Sequence, residues 1–444
     1  MPDDLSVVEV RMWGRRVGAV SRSDNPRLLG FYEFQYDPAF AASGLELSPV
    51  YVPLHRSRVY SFPNLSQETY HGLPGLLADS LPDQFGNALI NEYMARKGVL
   101  AQDVSTLQRL VYVGRRGMGA LEFEPAQADR HSDGATMSLQ MASLVEDARR
   151  AIRGDAAGVT QDILDVGSSA GGTRAKAVIG WNKKTNEIVS GQFDLPFGFE
   201  HWLLKFDVGV DGSLSYTQGF GRIEYAHYLM AQDAGIDMSE CRLLEEGGRA
   251  HFMTKRFDRD GNTKIHVHSL CGMDHLDFNL PRVHSYEQYL RQVLQFNLGA
   301  RALEQAWLRC AFNVVAVNCD DHTKNLAYTM DTEGQWSLAP AFDMCFSHNP
   351  APGKWTQEHQ MLVAGKSWDI TADDLLGVAR DFSVREAREL LNNVIEAVAQ
   401  WPKVAKKIGI PRDRIDHVAS FRPAWAKKPL APRQPSTAGN KRRG

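Results

Sequence analysis

NCDDHTKNL, Asn318 to Leu326, stands between the apolar helical run AFNVVAV and the strand-like LAYTM. Asp320 and Asn325 lie five positions apart, the D-x-x-x-x-N spacing by which kinase-type phosphotransferases set a hydroxyl-orienting carboxylate beside a metal-binding amide. Downstream, LAPAFDMCFS places Asp343 after an apolar strand end. Magnesium takes hard oxygen ligands and binds through one or two carboxylates plus phosphate oxygens, so Asn325 and Asp343 form a chemically reasonable pair. Alone, either element is common: the spacing recurs by chance, and an Asp after a strand is more often a turn or cap residue.

The residues upstream give the motif a setting. HWLLKFD, His201 to Asp207, buries Lys205 in an apolar strand, and a buried ammonium is costly unless an anion meets it. The α/β-phosphates of ATP are one such anion. Glu224, near the start of the helical run IEYAHYLMAQ, is placed to orient that lysine, although the helix dipole alone also favours a glutamate in a first turn. GSSAGGTRAKAVIGW runs from Gly167 through Gly171 and Gly172 into a strand. A loop whose backbone N–H groups approach phosphate needs such glycines.

Around these residues the chain divides. VVEVRMWGRRVGAV (residues 7–20) alternates about Gly14 as a hairpin does. Gly72 to Arg96 has a helical apolar period broken at Pro82. These elements form an N-terminal subdomain over residues 1–125. The polar stretch 126–138 reads as a linker. Residues 139–258 read as a small ATP-binding lobe with strands AKAVIGW, EIVSGQF and HWLLKFD, and 259–420 as a mainly helical catalytic lobe. The expected class is α+β, a two-lobed protein-kinase-like fold, with no internal repeat. Residues 421–444, basic and without an acidic residue, are expected to be disordered.

The bulk composition excludes more than it assigns. The 444 residues carry a formal net charge of -3 and 43% hydrophobic residues, enough for large cores and without a global pull toward nucleic acid or anionic membrane. Five widely spaced cysteines in so long a chain read as reduced thiols. The N-terminus lacks a long apolar region and no run reaches a membrane span, which points to the cytoplasm. Two groupings are set aside. Gly114 to Gly119 (GRRGMG) lacks the strand-then-helix setting of a dinucleotide site. His266, His268, Cys271 and His275 fit no zinc spacing.

As an ordered set, GLLADSLPDQFG (Gly75 to Gly86), SSAGGTRAK, LLKFD, KRFDR (Lys255 to Arg259), CDDHTKN and the FD before a polar loop resemble the HipA kinases of toxin–antitoxin systems, from the hairpin near Trp13 to about residue 400. The resemblance implies a serine/threonine protein kinase that uses ATP and Mg2+. Asp320 would be the catalytic aspartate, and Asn325 and Asp343 the metal ligands. Lys205, Glu224 and the loop residues Ser169, Gly171, Gly172 and Thr173 would contact the nucleotide. Ser169 aligns with the serine that family members phosphorylate on themselves, with Ser168 as the alternative. It further implies a growth-inhibiting toxin whose substrate is a protein, in known cases an aminoacyl-tRNA synthetase. Its partner would be a helix-turn-helix antitoxin, so that DNA is reached only through that antitoxin and no membrane is involved. Two departures stand out. Thr173-Arg174-Ala175-Lys176 replaces the usual residues after the glycines, and Asp321 replaces the glycine after the catalytic aspartate, placing two carboxylates side by side. A catalytically silent partner of a DNA-bound antitoxin and a small-molecule phosphotransferase remain as rival readings.

Overall fold

The computed structural model describes residues 5–125, 139–152, 159–166, 174–208, 219–351 and 353–431. The chain opens with a hairpin: β1 (Val7–Met12) pairs antiparallel with β2 (Arg15–Arg22), with Met12 opposite Arg15. Trp13 and Gly14 both have positive φ, the backbone a two-residue hairpin turn of the favoured hand requires. Val8, Val10 and Met12 face inward, every second residue, as the pleat dictates. β3 (Tyr32–Tyr36), β4 (Val59–Tyr60) and β5 (Glu122–Glu124) complete an antiparallel sheet in the order β4-β3-β2-β1-β5.

Pro82 breaks the helical stretch after Tyr70 as expected, leaving the helices Gly75–Ala78 and Gln84–Ala95. Asp83 caps the second by accepting from the Gly86 N–H at 2.7 Å. Phe85 and Leu89 of that helix enter a core built mainly from the next lobe, so the N-terminal domain shares its packing with its neighbour.

That neighbour holds an antiparallel sheet of β6 (Lys176–Trp181), β7 (Ile188–Ser190), β8 (Glu200–Lys205), β9 (Cys241–Glu246) and β10 (Arg249–Lys255), in the order β7-β6-β8-β10-β9. The β9–β10 hairpin turns on Gly247 and Gly248, both at positive φ. The helix Phe220–Asp233 packs on this sheet and places Glu224 on its buried side. Short strands β11 (Arg259–Asp260) and β12 (Thr263–Lys264) pair with each other. In the last lobe, β13 (His266–Ser269), β14 (Ala327–Met330) and β15 (Trp336–Leu338) form a small sheet. It lies beside helices that include Tyr286–Gln295, Gly299–Ala316 and Ala387–Ala399, whose apolar faces form the largest core.

Residues 421–431 correct the expectation of a disordered tail. Trp425 donates from Nε1 to the Ile370 carbonyl at 2.9 Å, Leu430 N–H donates to Asn392 at 2.7 Å, and Ala426 is fully buried. The basic composition of the segment conceals these apolar anchors. Residues 432–444 and the linker 126–138 lie outside the described residues. All five cysteines are buried free thiols. Among the described residues no helix is long and apolar enough to cross a membrane.

Candidate active site

Lys176 on β6 and Lys205 on β8 are directly paired across the sheet, which puts both side chains on one face. Lys205 Nζ donates to Glu224 Oε1 at 2.6 Å and also forms an ion pair with Asp343. Burial by itself would lower the Lys205 pKa, but the charges of Asp343 and Glu224 overcome it and hold it above the ordinary lysine value. Asp343 lies below the usual carboxylate range: burial opposes this, and the charges of Lys205 and Lys176 outweigh the burial. Glu224 also receives Arg174 at 3.3 Å, and the Arg174 guanidinium covers the Phe220 ring.

Lys176 has a different anion. Its side chain is 2% exposed and meets Asp83, 4% exposed, at 3.1 Å. Burial pushes Lys176 down and Asp83 up, only partly offset by their mutual attraction. The helix-capping aspartate of the N-terminal domain therefore reaches into the charged cluster of the small lobe.

The opposite wall is the turn after the helix Gly299–Ala316. That helix ends on Val317 at φ +58, a left-handed conformation that is strained for a β-branched residue. The turn it makes directs Asn318 to Asn325 back toward β8. Asn318 Nδ2 donates to the Asp343 carbonyl at 3.1 Å, and its Oδ1 accepts from the Asp320 N–H at 3.3 Å. Asn325 Nδ2 donates to the Asp320 carbonyl at 2.8 Å, which leaves Oδ1 as its acceptor. Asn325 and Asp343 line one cleft with Asn318 and Phe342. One carboxylate and one amide oxygen are hard donors of the kind that could hold magnesium, and phosphate and water would have to complete its shell. Asp320 keeps a side chain 47% exposed, open to a substrate.

Asp321 is spoken for. Its side chain is fully buried. Oδ1 accepts from the Gln360 N–H at 2.8 Å, and Oδ2 accepts from the Tyr286 hydroxyl and from His359 Nδ1, each at 3.0 Å. It serves as a structural anchor in the wall of the cleft that Asn325 and Asp343 line.

The structure thus brings together Lys205, Glu224, Asp320, Asn325 and Asp343. Ser168, Ser169, Gly171, Gly172 and Thr173 lie outside the described residues. Sequence reasoning passed over Lys176, Asp83, Asn318 and Gln360. Lys176 carried the same signal as Lys205, an ammonium inside an apolar strand.

The two groupings set aside have structural work. Asp258 is fully buried between Arg256 and Arg259, each 2.7 Å away, and accepts from the Gly119 N–H at 2.8 Å. Both arginines also donate to the Gly117 carbonyl. KRFDR thereby grips the glycine turn of the N-terminal domain. His268 is held by Asp79 at 2.6 Å and by Ser48 at 3.1 Å, while Asp79 also accepts from Ser269 N–H and hydroxyl. GLLADSLPDQFG therefore sends one aspartate, Asp79, to the last lobe and another, Asp83, to the small lobe.

A small sheet whose Lys205 pairs with Glu224 of the helix packed on it, facing a helical lobe that supplies the D-x-x-x-x-N loop and Asp343, defines a two-lobed protein-kinase-like fold with an added N-terminal domain. Family models for the HipA N-terminal domain and the HipA-like C-terminal domain match residues 8–124 and 168–402, and the chain belongs to the HipA family. Its structure is similar to that of HipA of Shewanella oneidensis MR-1, solved with HipB and its operator DNA. The two share 16% sequence identity, with a TM-score of 0.64 over 93% of this chain and 94% of that one. The Helicobacter pylori proinflammatory kinase CtkA aligns with 51% of this chain and 89% of its own length at 12% identity and a TM-score of 0.32. No curated protein matches the chain.

Proposed function

We propose that this chain is an ATP- and Mg2+-dependent serine/threonine protein kinase that acts as a growth-inhibiting toxin and is restrained by a helix-turn-helix antitoxin. The observation that carries the reading is Lys205 held between Glu224 and Asp343, opposite a half-exposed Asp320. Lys205 presents a charge whose position two carboxylates fix, as a phosphate-binding lysine requires. Asn325 and Asp343 would hold magnesium, which would neutralise charge on the β- and γ-phosphates. Asp320 orients a substrate hydroxyl and takes its proton as the γ-phosphoryl group leaves ADP for that oxygen. The HipB and operator DNA solved with the Shewanella protein support a DNA-bound antitoxin as the partner. A protein substrate, for which an aminoacyl-tRNA synthetase is the leading candidate, and autophosphorylation at Ser169 or Ser168 complete the proposal.

Purified protein incubated with Mg2+ and γ-labelled ATP is expected to label itself in the segment Gly167 to Thr173 and to label a protein acceptor. Asp320→Ala should lower the rate by about 10² to 10⁴ while melting normally. Parental turnover in Asp320→Ala would remove the catalytic assignment. Labelling of small molecules alone would favour a metabolite kinase.

A further inference from the structure

The phosphotransfer reading assigns Asp320 a task that depends on which way its carboxylate faces, and a half-exposed aspartate on a turn does not keep one rotamer unaided. Gln360, forty positions downstream, supplies the restraint. Its Nε2 donates to Asp320 Oδ1 at 3.0 Å. The residue itself is 4% exposed and held on both sides of its backbone. Its N–H donates to Asp321 Oδ1 at 2.8 Å, and its carbonyl accepts from the Arg282 N–H at 2.7 Å.

We infer that Gln360 is a positioning residue for Asp320, and that Asp321 is the anchor that fixes Gln360 and ties Asp320 to the far side of the cleft. The same Asp321 carboxylate accepts from Tyr286, whose oxygen accepts from Asn313 Nδ2 at 2.8 Å. Asn313 Oδ1 in turn accepts from Asn318, which donates to the Asp343 carbonyl. One buried carboxylate therefore sets the orientation of the hydroxyl-facing aspartate through Gln360 and the backbone of the metal-type aspartate through three side chains. A donor to one oxygen of Asp320 turns the other toward the substrate. A glycine after Asp320 could make none of these bonds. Asp321 lines the same cleft, and the bonds its carboxylate accepts run to Gln360, Tyr286 and His359 around it.

The inference rests on the kinase reading, and one set of measurements separates the two. Gln360→Met keeps the shape and both backbone bonds and loses only the donor, because Gln360 Oε1 has no partner among the described residues. It should lower kcat for labelled phosphate transfer by about ten- to a hundredfold, the worth of a hydrogen bond to a charged group. KM for ATP and the melting temperature should stay at parental values, since a group acting on the transition state lowers kcat without altering ground-state binding. Gln360→Glu sets an anion against Asp320 and should fall further, whereas a merely structural glutamine would lose melting temperature and leave kcat alone. An active parent with Gln360→Met at parental kcat overturns the positioning role alone. A parent without ATP turnover overturns both readings.

Discussion

Replacing Asp83 by asparagine removes the charge that meets Lys176 while keeping an oxygen to cap the helix Gln84–Ala95. The two effects are separable because asparagine caps about as well as aspartate. Both side chains of the pair are nearly inaccessible, and removing one partner of a buried pair costs about 3–5 kcal/mol because a desolvated charge is left behind. The lower end, about 3 kcal/mol, applies here, since the field of Asp343 also reaches Lys176. Asp83→Ala loses the cap as well and should cost about 1 kcal/mol more. The pH dependence has a definite sign. Burial depresses the folded-state pKa of Lys176, so between that value and the ordinary lysine pKa the unfolded chain binds more protons and stability rises with pH. Without Asp83 the depression deepens and the window widens. Urea unfolding of Asp83→Asn should therefore show its largest deficit near neutral pH and a smaller one as pH climbs toward the lysine range. A variant within about 0.5 kcal/mol of the parent at neutral pH, or a deficit that grows with pH, would refute the reasoning.

Two further outcomes are expected. Asp258 is pulled far below the usual carboxylate range, burial opposing and Arg256 and Arg259 prevailing. Its stabilisation is thus present above the unfolded carboxylate pKa and lost as pH falls through the folded value. Asp258→Asn should cost about 3–5 kcal/mol at neutral pH and flatten the acid limb of a thermal-melt profile. Expressing the parent without an antitoxin should arrest growth and Asp343→Asn should not. Equal arrest by both, at equal protein levels in immunoblots, would detach toxicity from phosphotransfer.

Much of the site is legible in the chain because its residues are chemically out of place. Lys205 in an apolar strand, and carboxylates and an amide where a helix meets a strand, each ask for a partner, and the fold supplies them to one another. Gln360 gives no such signal: it is a polar residue in a polar segment, and only the fold returns it to Asp320. The β9–β10 hairpin is not among the strands read from the sequence, although the paired glycines of EEGGRA carry a turn signal. KRFDR was visible only as a resemblance. Its work is to hold a turn more than a hundred residues upstream, a contact no local pattern encodes. Composition misled at residues 421–431, where one tryptophan and one leucine outweigh two lysines and one arginine. The N-terminal hairpin, the Pro82 break and the long helices followed their periodicities because each buries a single face.

Asp79 and Asp83, four positions apart, fasten the same short segment to two different lobes. In a two-lobed enzyme the inter-lobe angle is ordinarily a soft coordinate, and here a brace crosses it. Any rotation that widens the cleft must shear either the Asp79–His268 contact or the Asp83–Lys176 pair. The N-terminal domain also shares apolar packing with both sides. A fragment beginning after this brace would retain every candidate site side chain and lose the two contacts that fasten the lobes to one another.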